Sequence, residues 1–227
     1  MVKENVKGKE SFDLSTAISM LKQNAEKKPR KFVESVDIAF NLNIDAKQSN
    51  QNIRSFVELP AGSGRNVRVI VFTDNEDLQQ KALKAGAVKA GLAELAKEIE
   101  GGFLDFDYCV ATPDAMKSLG KIAKILGPRG LMPNPKNGNI SDDVETVVRQ
   151  AIKGKINFKN DKYGIIHVLV GKINFSDEDL ISNVKAIVSA VKEAKPESIK
   201  GKYIKSVYLS TTMGSSVALD VDSVDKI

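Results

Sequence analysis

The chain of 227 residues holds one cysteine, one histidine and no tryptophan. The single cysteine, Cys109, excludes an internal disulfide. The single histidine, His167, excludes a His-rich metal site and leaves little for a Cys–His dyad. No stretch approaches the ~18 apolar residues of a membrane span. The N-terminal MVKENVKGKESFD lacks the apolar core of a signal peptide. These absences read together as a soluble intracellular protein in a reducing compartment, with no membrane partner. Phosphate-binding glycine signatures are missing as well. Neither GxxxxGKS/T nor GxGxxG occurs, and Gly62-Ser63-Gly64 precedes a strand where a dinucleotide loop must follow one.

What is present is a modest cationic excess. Lys and Arg number 34 against 29 Asp and Glu, a net charge of +5. That permits a nucleic-acid partner without demanding one. The excess is uneven: residues 1–65 and 155–227 carry all of it, and 66–154 are neutral. Any polyanion-binding surface is therefore expected on the two outer segments.

Hydrophobic rhythm divides the chain in the same way. Residues 13–28 read as an amphipathic helix with Leu14, Ala17, Ile18 and Leu21 at the 3.6-residue period and Asp13 placed to cap it. Ser35–Leu42 alternates as a half-buried strand, and Ser55–Leu59 reads as a second. From Val67 the pattern changes. VRVIVF (67–72) and Tyr108–Ala111 are continuous apolar runs, as strands buried on both faces would be. Helical segments are predicted at about 75–85, 90–99, 112–126 and 142–152, which indicates a small parallel α/β unit. After Gly154 the first rhythm returns. Lys155–Lys159 and Ile165–Val170 read as a hairpin around NDKYG, Glu178–Lys192 as a helix, and Lys202–Ser210 and Ser216–Val221 as strands around TTMG. The ends thus read as one α+β domain, and 66–154 as an insertion.

No segment makes a case for catalysis. His167 reads as a strand histidine, since no Ser or Cys motif accompanies it. Cys109 reads as a small buried hydrophobe. The carboxylates of FLDFDY suit an acid/base pair or plain strand-edge solvation, the latter preferred. KKPRKF (27–32) joins four cations to one aromatic, which suits phosphates and an exposed base. It equally suits a basic helix C-terminus followed by a core Phe. STTMGSS (210–216) offers hydroxyls, a flexible apolar Met213 and a Gly214 that lets the main chain approach a ligand; an ordinary hairpin turn has the same composition. FKNDKYGIIH (158–167) carries Lys159, Asn160, Asp161 and Lys162 near a turn, with Gly164 where positive φ is needed. GPRGLMPNPK (127–136) is stiff, basic and apolar for a connector, as functional loops often are.

ILGPRGLMPNPK (125–136) and KGKYIKSVYLSTTMGSSVALD (200–220) together resemble the L-one family of large-subunit ribosomal proteins. VDIAFNLNIDAKQSNQNIRSFVELPAGSG (36–64), FDYCVATPDAM (106–116) and NDKYGIIHVLVGKINF (160–175) are similar to it in the same order, so the resemblance runs from about residue 13 to 222. It implies an α+β two-layer RNA-binding domain from both chain ends (1–65 and 155–227) and an inserted Rossmann-like three-layer α/β domain (66–154). It also implies binding to the stalk region of large-subunit ribosomal RNA, beside the exit site for transfer RNA. Assistance in exit-site tRNA release and repression of the chain's own operon mRNA follow from the same resemblance. The RNA contacts it implies are Lys31 and Phe32, Asn160, Asp161 and Lys162, and Thr212, Met213 and Gly214, flanked by Ser210 and Thr211. It further implies a cytoplasmic, ribosomal, non-enzymatic protein without cofactor or metal, monomeric outside the ribosome. One feature departs from the pattern: members usually begin with a longer basic arm, and the first thirteen residues here are short and mixed in charge.

Overall fold

A computed structural model describes residues 11–199 and 201–225; most of the N-terminal arm (1–10) lies outside the described residues. The structure is mixed α and β, with three sheets among those residues. It divides into two compact units: one runs to Gly64 and resumes at Ile156, and the other is Arg65–Lys155.

The chain enters the first unit through helix α1 (Leu14–Lys27), which buries Leu14, Ala17, Ile18 and Leu21 as their spacing dictates. Asp13 holds the N-cap position, but its carboxylate accepts the Ser15 hydroxyl at 2.8 Å rather than a helix amide. The capping expectation therefore fails in detail, because the nearer hydroxyl competes for the carboxylate. Strand β1 (Ser35–Leu42) alternates strictly, with Val36, Ile38, Phe40 and Leu42 buried. Strand β2 (Arg54–Glu58) buries Val57 alone.

The second unit begins with β3 (Val69–Phe72), then α2 (Glu76–Lys84), capped by the Asn75 side chain on the Asp77 amide at 2.9 Å. Strand β4 (Lys89–Gly91), helix α3 (Ala93–Glu100), strand β5 (Tyr108–Ala111) and the short helices α4 (Ala115–Ser118) and α5 (Ala123–Leu126) follow. Helix α6 (Val144–Lys153) is capped by Asp143. The sheet is parallel, in the order β4-β3-β5. Its residues pack alternately. Ile70, Phe72, Cys109 and Ala111 meet Leu95, Ile99, Leu119, Ile122 and Leu126. Val69, Val71, Tyr108 and Val110 meet Ala82, Val147, Val148 and Ala151. Both faces are covered, which is why these strands read as unbroken apolar runs.

Two expectations are corrected here. The helix expected from residue 90 starts at Ala93, because Lys89–Gly91 pairs with β3 as a strand; three residues are too few to show a period. The helix expected over 112–126 is broken. Pro113 delays its start to Ala115, and a 3₁₀ turn at Leu119–Lys121, around Gly120, interrupts it.

The chain returns through β6 (Lys155–Lys159), β7 (Ile165–Lys172), α7 (Asp177–Glu193), β8 (Ile204–Thr211), β9 (Val217–Leu219) and α8 (Val221–Asp225). Four strands form one sheet in the order β7-β1-β8-β9, antiparallel at every described pairing. Its inner face packs on α1 and α7 through Leu21, Phe40, Val184, Ile187 and Leu209. The expected β6–β7 hairpin is not formed. β6 pairs with β2 in a separate sheet, and only a bridge between Asn160 and Ile166 joins it to β7. Side chains explain the divergence. Asn160 Oδ1 accepts the Ile53 amide at 2.7 Å and ties the end of β6 to the approach of β2. Asp161 accepts the Tyr163 and Ile165 amides, both at 2.8 Å, and turns the chain into β7. Gly164 completes the turn at φ +78°, where a Cβ would lie 2.9 Å from Ile44 Cγ1.

Candidate nucleic-acid interface

β1 and β8 are antiparallel with Val36 opposite Thr211, so the start of one and the end of the other share one end of the sheet. Backbone and side chains then weld the two flanking segments. The Thr212 amide donates to Ser35 O at 3.1 Å, and the Ser35 amide donates to Thr212 Oγ1 at 3.0 Å. Glu34, only 4% exposed, accepts the Met213 amide through Oε2 at 3.1 Å, and Arg30 Nε stands 3.7 Å from its Oε1. Lys172, at the end of β7, donates to Ser35 Oγ at 2.9 Å. A Cβ at position 214 would fall inside the contact radius of Thr211 Oγ1, so glycine is required there for close packing.

This scaffold leaves three large apolar side chains in solvent, Val33 among them at 49% exposed. Phe32 is 53% exposed and Met213 is 58% exposed. Lys27, Lys28 and Lys31 beside them are exposed too. A groove of about 140 Å³ runs between the end of α1 and the turn, lined by Lys27, Lys28, Arg30, Glu34, Met213 and Gly214. Apolar contact and cations on one edge suit a sugar–phosphate backbone and an unstacked base.

The structure brings together Lys31, Phe32, Thr212, Met213 and Gly214. Ser210 is half-buried on β8, and Thr211 is buried beneath Gly214, so Thr211 shapes the turn rather than presenting itself. The Thr212 hydroxyl is likewise engaged with Ser35. Asn160, Asp161 and Lys162 lie elsewhere. The Leu42 amide bonds Gly164 O, which puts their turn at the other end of β1. At about 3.3 Å per residue, the eight residues of β1 separate the two groups by roughly 25 Å. Asn160 and Asp161 build the turn, and Lys162 is presented, its Nζ 5.0 Å from the Tyr163 ring.

The outer face of the sheet runs between the two groups, and sequence reasoning passed it over. Across it lie His167, Ala39, Tyr208 and Ala218 in one row, and Leu169, Asp37 and Ser210 in the next. The alternation of β1 and β8 could have placed Asp37 and Tyr208 on this face; nothing local marks Glu34 as buried. Burial pushes the Asp37 carboxyl above its ordinary value, and Lys172 and His167 offset this only in part. Its folded-state value exceeds its unfolded one, so its ionisation at neutral pH opposes folding. Asp37→Asn is expected to raise the thermal midpoint at pH 7. The gain should vanish at a pH low enough to protonate the wild-type carboxyl in both states. A lower midpoint at pH 7 would mean that the charge has a structural use.

The other sequence candidates resolve simply. Asp105 and Asp107 are exposed, as strand-edge solvation implies, and both also pair with Arg68. Partial burial alone would raise Asp107, but hydrogen bonds from Arg68 outweigh it and hold the carboxyl below the usual range. Cys109 is buried, which pushes its thiol well up. Among the described residues no group of three His, Cys, Asp or Glu could hold a metal ion, and no helix is long and apolar enough to cross a membrane.

The chain is 46% identical over 220 residues to the large ribosomal subunit protein uL1 of Shewanella denitrificans, which spans 97% of this chain and 93% of that protein. It is 46% identical over 224 residues to the same protein of Pseudoalteromonas atlantica, covering 99% and 94%. The uL1 protein of Shewanella pealeana is 44% identical over 225 residues, covering 99% and 95%. These relatives are structural components of ribosomes rather than enzymes. Residues 21–215 match the family described as ribosomal protein L1p/L10e, and with near full-length identity to its bacterial members the chain belongs to that family.

Proposed function

We propose that this chain binds the stalk region of large-subunit ribosomal RNA through the unit built on the four-stranded sheet. The observation that carries the reading is the exposed pair Phe32 and Met213, with the turn of Met213 tied to Glu34 and Ser35 and exposed lysines beside them. Such an edge reads shape: Phe32 and Met213 make apolar contact with a bent backbone, while lysines supply salt-sensitive attraction. RNA that also reaches Lys162 crosses the outer face, past Asp37, Tyr208 and His167. On this reading residues 1–65 and 155–227 are the RNA-binding domain, and 66–154 are the family's inserted Rossmann-like domain, consistent with its covered parallel sheet. The protein then works in the cytoplasm, on the ribosome, where it assists exit-site tRNA release. It also represses translation of its own operon mRNA by binding a similar element.

Binding to a stalk RNA fragment and to an unrelated hairpin, at two salt concentrations, tests this. Tight binding to the stalk alone is the expected result; equal affinity for both RNAs would overturn the reading. Lys31→Gln should lower the slope of log affinity against log salt by about one if Lys31 meets a phosphate. An unchanged slope would remove Lys31 from the contact.

A further inference from the structure

The neutral charge of residues 66–154 conceals a separation. Residues 115–136 hold five cations and no acid. The acids of this segment fall at 74–77, 94–107, Asp114 and 142–145. Within the cationic stretch, Ala115, Leu119, Ile122 and Leu126 are buried against the sheet. That packing turns Lys117, Lys121 and Lys124 outward, and all three are exposed. Their spacing of four and three residues puts them along one side of the broken helix, over about 10 Å.

Arg129 extends the line. It sits at the exposed tip 127–130, in a turn closed by Gly130 N to Gly127 O at 3.0 Å and by Leu131 N to Leu126 O at 3.1 Å. Gly127 cannot carry a side chain without cost, since its Cβ would lie 2.8 Å from Ala123 O. Leu131 and Met132 anchor the far side of the turn in the core. The arginine is therefore carried on a tight turn that directly follows the ridge. Among the described residues, Lys117, Lys121, Lys124 and Arg129 have no ion-pair partner. Each lysine lies in a helical piece of only three or four residues, too short to sum the peptide dipoles that a C-terminal cation complements.

The geometry points to a second RNA contact on this unit, in which Lys117, Lys121, Lys124 and Arg129 lie along the phosphates of one strand. No exposed aromatic accompanies them, so the contact follows the backbone and is indifferent to base sequence. RNA is the partner the chemistry favours, because the chain belongs to a ribosomal family and the surrounding polyanion of a ribosome is RNA. The inference rests on that membership and not on the Met213 edge.

The test uses the full chain carrying Lys117→Gln, Lys121→Gln, Lys124→Gln and Arg129→Gln together, with single-stranded polyuridylate as probe. Four lost phosphate contacts should lower the salt slope by about three. A control chain with Lys81, Lys84, Lys97 and Lys153 changed to Gln should keep a slope near wild type. Acetylation of the wild-type protein adds a readout that needs no variant: bound polyuridylate should protect Lys117, Lys121 and Lys124. An unchanged slope, an equal loss in the control, or lysines acetylated at the free rate would each overturn the proposal. Polyglutamate that competes with RNA at equal charge would also overturn it, and point to an acidic protein. The Met213 edge is scored separately by stalk RNA, so failure of one leaves the other standing.

Discussion

Met213→Ala is expected to weaken binding to stalk RNA by about 1–3 kcal/mol, roughly 5- to 150-fold, with little change in stability. The side chain is 58% exposed and lies outside the core, so its loss should move the folding free energy by no more than about 0.5 kcal/mol. Its amide bond to Glu34 is a main-chain bond and survives the substitution. The turn should therefore stay in place while its apolar contact is lost. Titration of a stalk RNA fragment, paired with thermal unfolding of the same preparation, separates the two effects. Wild-type affinity in a folded variant would remove the edge from the interface.

The largest stability effect is expected at Asn183, which is fully buried on α7. Its Oδ1 accepts the Ala61 amide at 3.0 Å, and its Nδ2 donates to Gly62 O at 3.0 Å and Val170 O at 2.8 Å. One side chain thus joins a helix, a strand and the loop that leads out of the first unit. Asn183→Ala strands all three backbone groups, each costing about 1–3 kcal/mol when buried without a partner. The loop groups are partly exposed and water can replace some of the loss, so about 2–4 kcal/mol is expected for the whole. Urea unfolding measures it. A change below about 1 kcal/mol would mean that the loop is not held through this side chain. Below the transition the variant should still bind RNA, because none of the three groups that Asn183 bonds belongs to the Met213 edge.

Asn183 also shows where reading a sequence stops. In DLISNVKAIV it occupies an apolar-stripe position and gives no local sign of its three partners. Glu34 is similar: a carboxylate between Val33 and Ser35 reads as solvated, yet it is buried at the sheet edge against the amide of Met213, 179 residues away. By contrast, the alternation of SVDIAFNL and the unbroken VRVIVF separated a sheet buried on one face from a sheet buried on two. Helix α7 was equally plain, since its stripe of Leu180, Val184, Ile187, Val188 and Val191 repeats at the helical period. The RNA-contact candidates came from chemistry and resemblance, residue by residue. Their grouping did not.

The sequence by itself determined most of the elements, the excess charge of the outer segments and the family, because periodicity and motif spacing are local or additive properties of the chain. Tertiary structure alone decided that β6 leaves β7 for β2, that residues 34–35 meet 212–213 at one end of the sheet, and that Lys162 stands at the other. Those outcomes depend on which distant strands share a core, and burying Val36, Ile38, Phe40 and Leu42 against α1 and α7 is what fixes the register that brings residues 34 and 213 together.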